Sequence, residues 1–233
     1  MDKKTVKKIK KSVPKTKNDG VLTEFVCVID RSGSMSTIKE DTIGGFNTFL
    51  KEQQGMKGEA KLTMVLFDHE YIVKYDGEAI GKVEPLDDTS YVPRGTTALF
   101  DAIGRAITSV RERYETEGAG KARIMVVIIT DGVENASREY NHADIFDMIK
   151  NCEDNLKWAF LYLSASPDAF ANAEYIGINS THTIGFSHDC GGSRGMSMAY
   201  NCATNDFRNT GSVGTSQMYA LRVDPEKKHL NTQ

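Results

Sequence analysis

Four stretches of the chain are apolar almost throughout, only Thr63 interrupting them: residues 25–29, 62–67, 124–129 and 158–163. They lack the alternation of a strand with one wet face and suit strands covered on both sides, as in a parallel sheet. Between them the apolar positions fall at helical spacing. Ile38, Ile43, Phe46, Phe49 and Leu50 form one stripe. Leu99, Ile103, Ala106, Ile107, Val110 and Tyr114 form a second, and Ile145, Met148, Ile149 and Cys152 a third. Residues 71–75 follow the second run after Asp68-His69-Glu70, a polar turn, and read as its antiparallel hairpin partner on a sheet edge. Ser166-Pro167 predicts an N-cap and a first-turn proline opening a short helix to about Ile176. Residues 181–186 predict a last strand, and Met196, Tyr200, Ala203 and Phe207 a closing helix.

Strands alternating with helices imply crossover connections. The expected fold is a Rossmann-like, doubly wound α/β sheet of about six strands. It is mostly parallel with one antiparallel edge strand, and helices lie on both faces. The 233 residues suffice for one such domain with tails, and no internal repeat is visible. Residues 1–20 read as a basic disordered tail, 21–210 as the domain including its C-terminal helix, and 211–233 as a polar tail.

Charge sharpens this division. The net charge is −3, yet residues 1–19 hold eight Lys against Asp2 and Asp19, a local +6, which leaves −9 for the rest. No continuous apolar run resembles a signal peptide or a membrane span, which favours a cytoplasmic protein. The four cysteines form no CxxC pair and read as reduced packing thiols. His188, Cys190 and Cys202 make a poor zinc set, because a fourth ligand and paired spacing are missing.

Candidate chemistry sits at the ends of the predicted strands. Asp30, Ser32 and Ser34 follow the first run at alternate positions, Thr130-Asp131-Gly132 follow the third, and Gly95-Thr96-Thr97 precede the second helical stripe. Ligands of open α/β sheets collect at the carboxyl ends of strands, so three distant loops can meet there. Carboxylates and hydroxyls together suit a hard, oxygen-seeking divalent cation. Each residue also has a plainer reading. Ser32 or Ser34 could cap a helix beginning near Ser36, Thr97 could cap the helix at Leu99, and Asp131-Gly132 could form only a turn.

Asp30-x-Ser32-x-Ser34, a threonine in a Gly-Thr-Thr loop and Thr130-Asp131-Gly132 together resemble the metal-ion-dependent adhesion site of von Willebrand factor type A (VWA) domains. The resemblance spans residues 21–187. Residues 91–103 and 161–177 are similar to small stand-alone VWA proteins of bacteria and their phages. By that resemblance Ser32, Ser34 and Thr97 would ligate a metal through their hydroxyls, and Asp30 and Asp131 directly or through water. Thr97 is chosen over Thr96 because it stands two before Leu99, as in the family loop. The metal implied is Mg2+, with Mn2+ or Ca2+ as substitutes. The partner implied is a protein offering an exposed Glu or Asp, in a phage–host or bacterial stress or defence setting. Arg31, Arg94, Glu134 and Asn135 lie in or beside the same loops and are the candidate partner contacts.

Catalysis is not expected. A phosphotransferase of this architecture would carry a second Asp where Ser32 stands, and no P-loop occurs. The competing reading is phosphate or nucleic-acid binding through the Lys-rich tail, with a purely structural metal. That tail has no interleaved aromatics for base stacking.

Overall fold

Odd and even positions of the central strand go to different cores. Phe25, Cys27 and Ile29 face one helical layer, while Val26 and Val28 face the other, and all five are fully buried. This is why the strand reads as continuously apolar. The computed structural model describes residues 20–116, 122–186 and 190–213, the side chains of 190–196 excepted. Both tails expected at the termini therefore lie almost wholly outside the described residues.

Six strands make one sheet: β1 (Thr23–Asp30), β2 (Ala60–Phe67), β3 (Tyr71–Ala79), β4 (Arg123–Thr130), β5 (Ala159–Ser164) and β6 (Thr183–Gly185). Their spatial order is β3-β2-β1-β4-β5-β6. All neighbours pair in parallel except β2 and β3, which form the expected antiparallel edge. Helices α1 (Lys39–Gly55) and α5 (Cys190–Thr210) cover one face, and α2 (Leu99–Thr116), α3 (His142–Leu156) and the short α4 (Ala169–Tyr175) the other. The chain leaves β1 toward β2 on one side and reaches β4 on the other, so the order reverses at the carboxyl end of β1.

Local chemistry sets several boundaries. Asn141 and Asp144 form a reciprocal capping box that starts α3, and Lys157, left-handed at φ 59°, ends it. Helix α4 starts later than Ser166-Pro167 predicts. The Ser166 hydroxyl takes the Asp168 N–H at 3.2 Å and its carbonyl the Ala169 N–H at 3.1 Å, so Ser166 organises a turn ahead of the helix. The last strand is shorter than expected, because Ser180–His182 closes a single helical turn held by the Asn179 side chain. Strand β3 is longer, and its pairing slips twice against β2, between Leu62 and Met64 and between Met64 and Val65. At that irregularity Gly77 sits at φ +61°. A Cβ there would lie 1.8 Å from Nη1 of Arg113, so only glycine lets the guanidinium pass.

Cys27 and Cys152 are buried free thiols. Burial pushes them up to about 12 and about 11, which makes them inert packing groups.

Candidate functional site

β1 and β4 are neighbours in parallel register, Ile29 beside Ile129, so Asp30 and Thr130 end adjacent strands. The Asp30 carboxylate is fully buried. Its Oδ1 accepts the Ser32 N–H at 2.6 Å and its Oδ2 the Thr130 hydroxyl at 2.6 Å. The Tyr91 hydroxyl donates to the Asp30 carbonyl at 2.5 Å, fixing the strand end from below.

The other expected ligands converge on this carboxylate. Ser32 Oγ is 3.2 Å from Ser34 Oγ, which in turn donates to Asp131 Oδ1 at 2.8 Å. Gly132 leaves room for the fifth. A Cβ there would stand 3.1 Å from Thr97 Oγ1 and 3.4 Å from Asp30 Oδ2, so the missing side chain is what lets the loops close. The backbone laces the three loops together. Gly33 N–H donates to the Gly95 carbonyl at 3.1 Å and Arg94 N–H to that of Arg31 at 2.7 Å, while Asn135 and Ala136 both donate to the Thr97 carbonyl.

The capping alternatives fail. Ser32 precedes the helical turn Gly33–Ile38, but its side chain makes no cap bond. The first amides of α2 are capped from a different loop: Glu134 accepts from Phe100 N–H at 2.9 Å and Ser137 Oγ from Asp101 N–H at 3.0 Å. Neither Ser32 nor Thr97 spends its hydroxyl on a helix end.

Among the described residues the cluster lacks an internal cation. Burial pushes the Asp30 carboxyl up to about 6, partly offset by its hydrogen bonds from Thr130 and Ser32, and the Asp131 charge adds to the rise. No Lys, Arg or His forms an ion pair with Asp30 or Asp131 among the described residues. The arginines of the same loops turn elsewhere. Arg31 pairs with the buried Asp68 at 3.2 Å and with Glu70 at 3.3 Å. Arg94 pairs with Asp68 at 3.0 Å and with Glu70. Asp68 thus anchors the β2–β3 turn to the site loops, a role its place in a polar tripeptide did not reveal.

The remaining candidate contacts also carry structural duties. The Glu134 carboxylate accepts from Phe100, Ala136 and Ser137 amides and from the Ser137 hydroxyl. Asn135 is exposed, and its Oδ1 accepts the Thr97 N–H at 2.9 Å. Among the described residues no group of three or more His, Cys, Asp and Glu is placed to hold a metal, so the candidate centre is hydroxyl-rich. His188 and the side chain of Cys190 lie outside the described residues. No described helix is long and apolar enough to cross a membrane.

No protein-family model matches the chain, and no curated protein matches it in sequence. Solved structures do. The open conformation of the pilus adhesin SpaC from Lactobacillus rhamnosus GG superposes with a TM-score of 0.58 at 14% identity, over 81% of this chain and 30% of that one. Proximal thread matrix protein 1 from the mussel byssus gives 0.52 at 15% identity, over 78% and 46%. A von Willebrand factor type A protein from Catenulispora acidiphila superposes more loosely, at 0.49 and 16% identity, over 78% and 42%. The chain spans less than half the length of each. The likeness to the first two is one of fold.

Proposed function

We propose that this chain is a divalent-metal-dependent protein-binding module whose partner supplies an acidic side chain. The observation that carries this reading is the convergence of two carboxylates and three hydroxyls from three loops, with no cationic side chain paired to them among the described residues. Asp30, Ser32, Ser34, Thr97 and Asp131 would hold the ion. The donor set fits a hard cation such as Mg2+, since all five side chains offer oxygen and the buried, uncompensated Asp30 gains most from a positive charge. When bound, the ion supplies a Lewis-acidic position for an external carboxylate oxygen. Two carboxylates and three neutral hydroxyls leave a dication attractive to a further anion, which favours binding over catalysis. The VWA resemblance of the motif points the same way.

Calorimetric titration of Mg2+ and Mn2+ into the full chain, Asp30→Ala and Thr97→Ala tests the metal. Capture from bacterial lysate in Mg2+ and in EDTA, with the same variants and a chain lacking residues 1–19, tests the partner. The expected result is one-site metal uptake by the wild type alone, and a captured protein lost with the metal or with Asp30. A protein retained equally in EDTA by Asp30→Ala, but lost without residues 1–19, would move the function to the basic tail.

A further inference from the structure

Beside the candidate metal loops lies a groove of about 620 Å3. Its walls are shared with the site. Thr96 and Asn135 line it, and Asn135 is bonded to Thr97 through both its side chain and its backbone. His69, on another wall, packs against Gly95 of the same loop. A Cβ on Gly95, at φ +70°, would come within 2.3 Å of the imidazole. The groove and the candidate metal loops therefore share one surface.

The groove's charges can be accounted for one by one. Glu70 is held by Arg31 and Arg94. Asp101 accepts three backbone N–H groups, from Arg138, Glu139 and Tyr140, at 2.9 to 3.0 Å. Glu139 is gripped at both oxygens by Arg105, at 2.8 and 2.5 Å, and Arg105 also lies 5.4 Å over the Tyr71 ring. Every carboxylate on the groove is thus answered within the fold. The Arg138 guanidinium has no ion pair or hydrogen bond among the described residues. The Asn135 amide nitrogen and the Thr96 hydroxyl donate to nothing described either. His69 lies beside the buried Asp68, its Nδ1 3.4 Å from Oδ1, so the groove leaves unanswered, among the described residues, the Arg138 charge and the neutral donors of Asn135, Thr96 and the Tyr71 hydroxyl.

Resting on the metal-dependent reading above, we propose that this groove is a second anion subsite of the same surface. It takes a second carboxylate, a few residues from the metal-bound one on the same partner segment, with Arg138 as counter-ion. The partner recognised is then a doubly acidic segment. A single exposed ion pair contributes little alone, but once the first carboxylate is anchored the second binds at high effective concentration.

The test uses capped peptides with two Glu separated by one, two, three or four glycines, and matched peptides with the second Glu replaced by Gln. Each is titrated in Mg2+ into isotopically labelled full chain and followed by amide chemical shifts. At one spacing the diacid should bind about fivefold tighter than its Gln counterpart, with shifts at Thr96, Asn135 and Arg138. Arg138→Gln, a change at an exposed and unpartnered side chain, should abolish that advantage and leave the Gln peptide's affinity unchanged. Equal affinities at every spacing, or equal weakening of both peptides by Arg138→Gln, would overturn the groove assignment alone. Failure of the Gln peptides themselves to bind in a Mg2+-dependent way would overturn the metal reading, and this proposal with it.

Discussion

Strand β1 buries an acid at each end, and the fold treats them differently. Glu24 and Asp30 are both fully inaccessible to solvent. Glu24 meets the Arg113 guanidinium at 2.6 Å, the Tyr114 hydroxyl at 2.6 Å and the Thr63 hydroxyl at 2.7 Å. It is a closed internal ion pair. Asp30, at the other end, meets only neutral donors and faces a second carboxylate. Burial of a carboxylate does not by itself mark a functional site. A buried carboxylate without an internal counter-charge among the described residues keeps its desolvation unoffset, and that offset is what the proposed ion would supply.

The comparison can be broken at either end. Glu24→Gln leaves Arg113 buried with only the more distant Asp76, 3.5 Å away, as a counter-charge. It should cost about 3 kcal/mol in urea unfolding; a loss well under 1 kcal/mol would mean that the pair is solvated.

Asp30→Asn should act with the opposite sign in metal-free protein. The folded-state carboxyl is raised from an ordinary 3.8 to about 6. Folding therefore favours its protonated form. That contribution is fully present below about pH 4 and is lost as pH rises through about 6. The wild type should fall behind Asp30→Asn across this window, by up to about 3 kcal/mol at pH 7. Parallel stability curves for the two proteins would remove the argument for an uncompensated acid.

Adding Mg2+ should restore the wild type above pH 6 by about 1 to 3 kcal/mol at saturating concentration. It should do nothing for Asp30→Asn, and little for the wild type near pH 4.5, where protons compete for the site. Thermal unfolding with and without EDTA reads this directly.

Much of this arrangement was legible beforehand, and for physical reasons. Consecutive apolar runs announce strands buried on both faces, and β1, β2, β4 and β5 lie where those runs fall. The doubly wound sheet that the VWA resemblance implies is the sheet observed. Asp30, Ser32, Ser34, Thr97 and Asp131 stand at strand ends and before a helix, so their convergence followed from topology. What could not be read were duties set by tertiary contact. Glu134 looked like a rim residue but caps α2 from another loop. Asp68 looked like turn polarity but is the buried anchor of Arg31 and Arg94. Tyr91 and Thr130 orient Asp30 although nothing in their local pattern says so. The start of α4 was misplaced because Ser166 bonds its own turn.

The slipped pairing of β3 against β2 has a consequence for how copies of the chain meet. β3 is an edge strand with exposed Ile72 and Val73, the kind of rim along which sheets of separate molecules can join. Two register shifts and the Gly77 kink bend its outer row of amides and carbonyls out of line. A straight incoming strand finds matching partners over only part of its length. The passage that Gly77 opens for Arg113 thus also guards this edge against runaway sheet growth at high concentration.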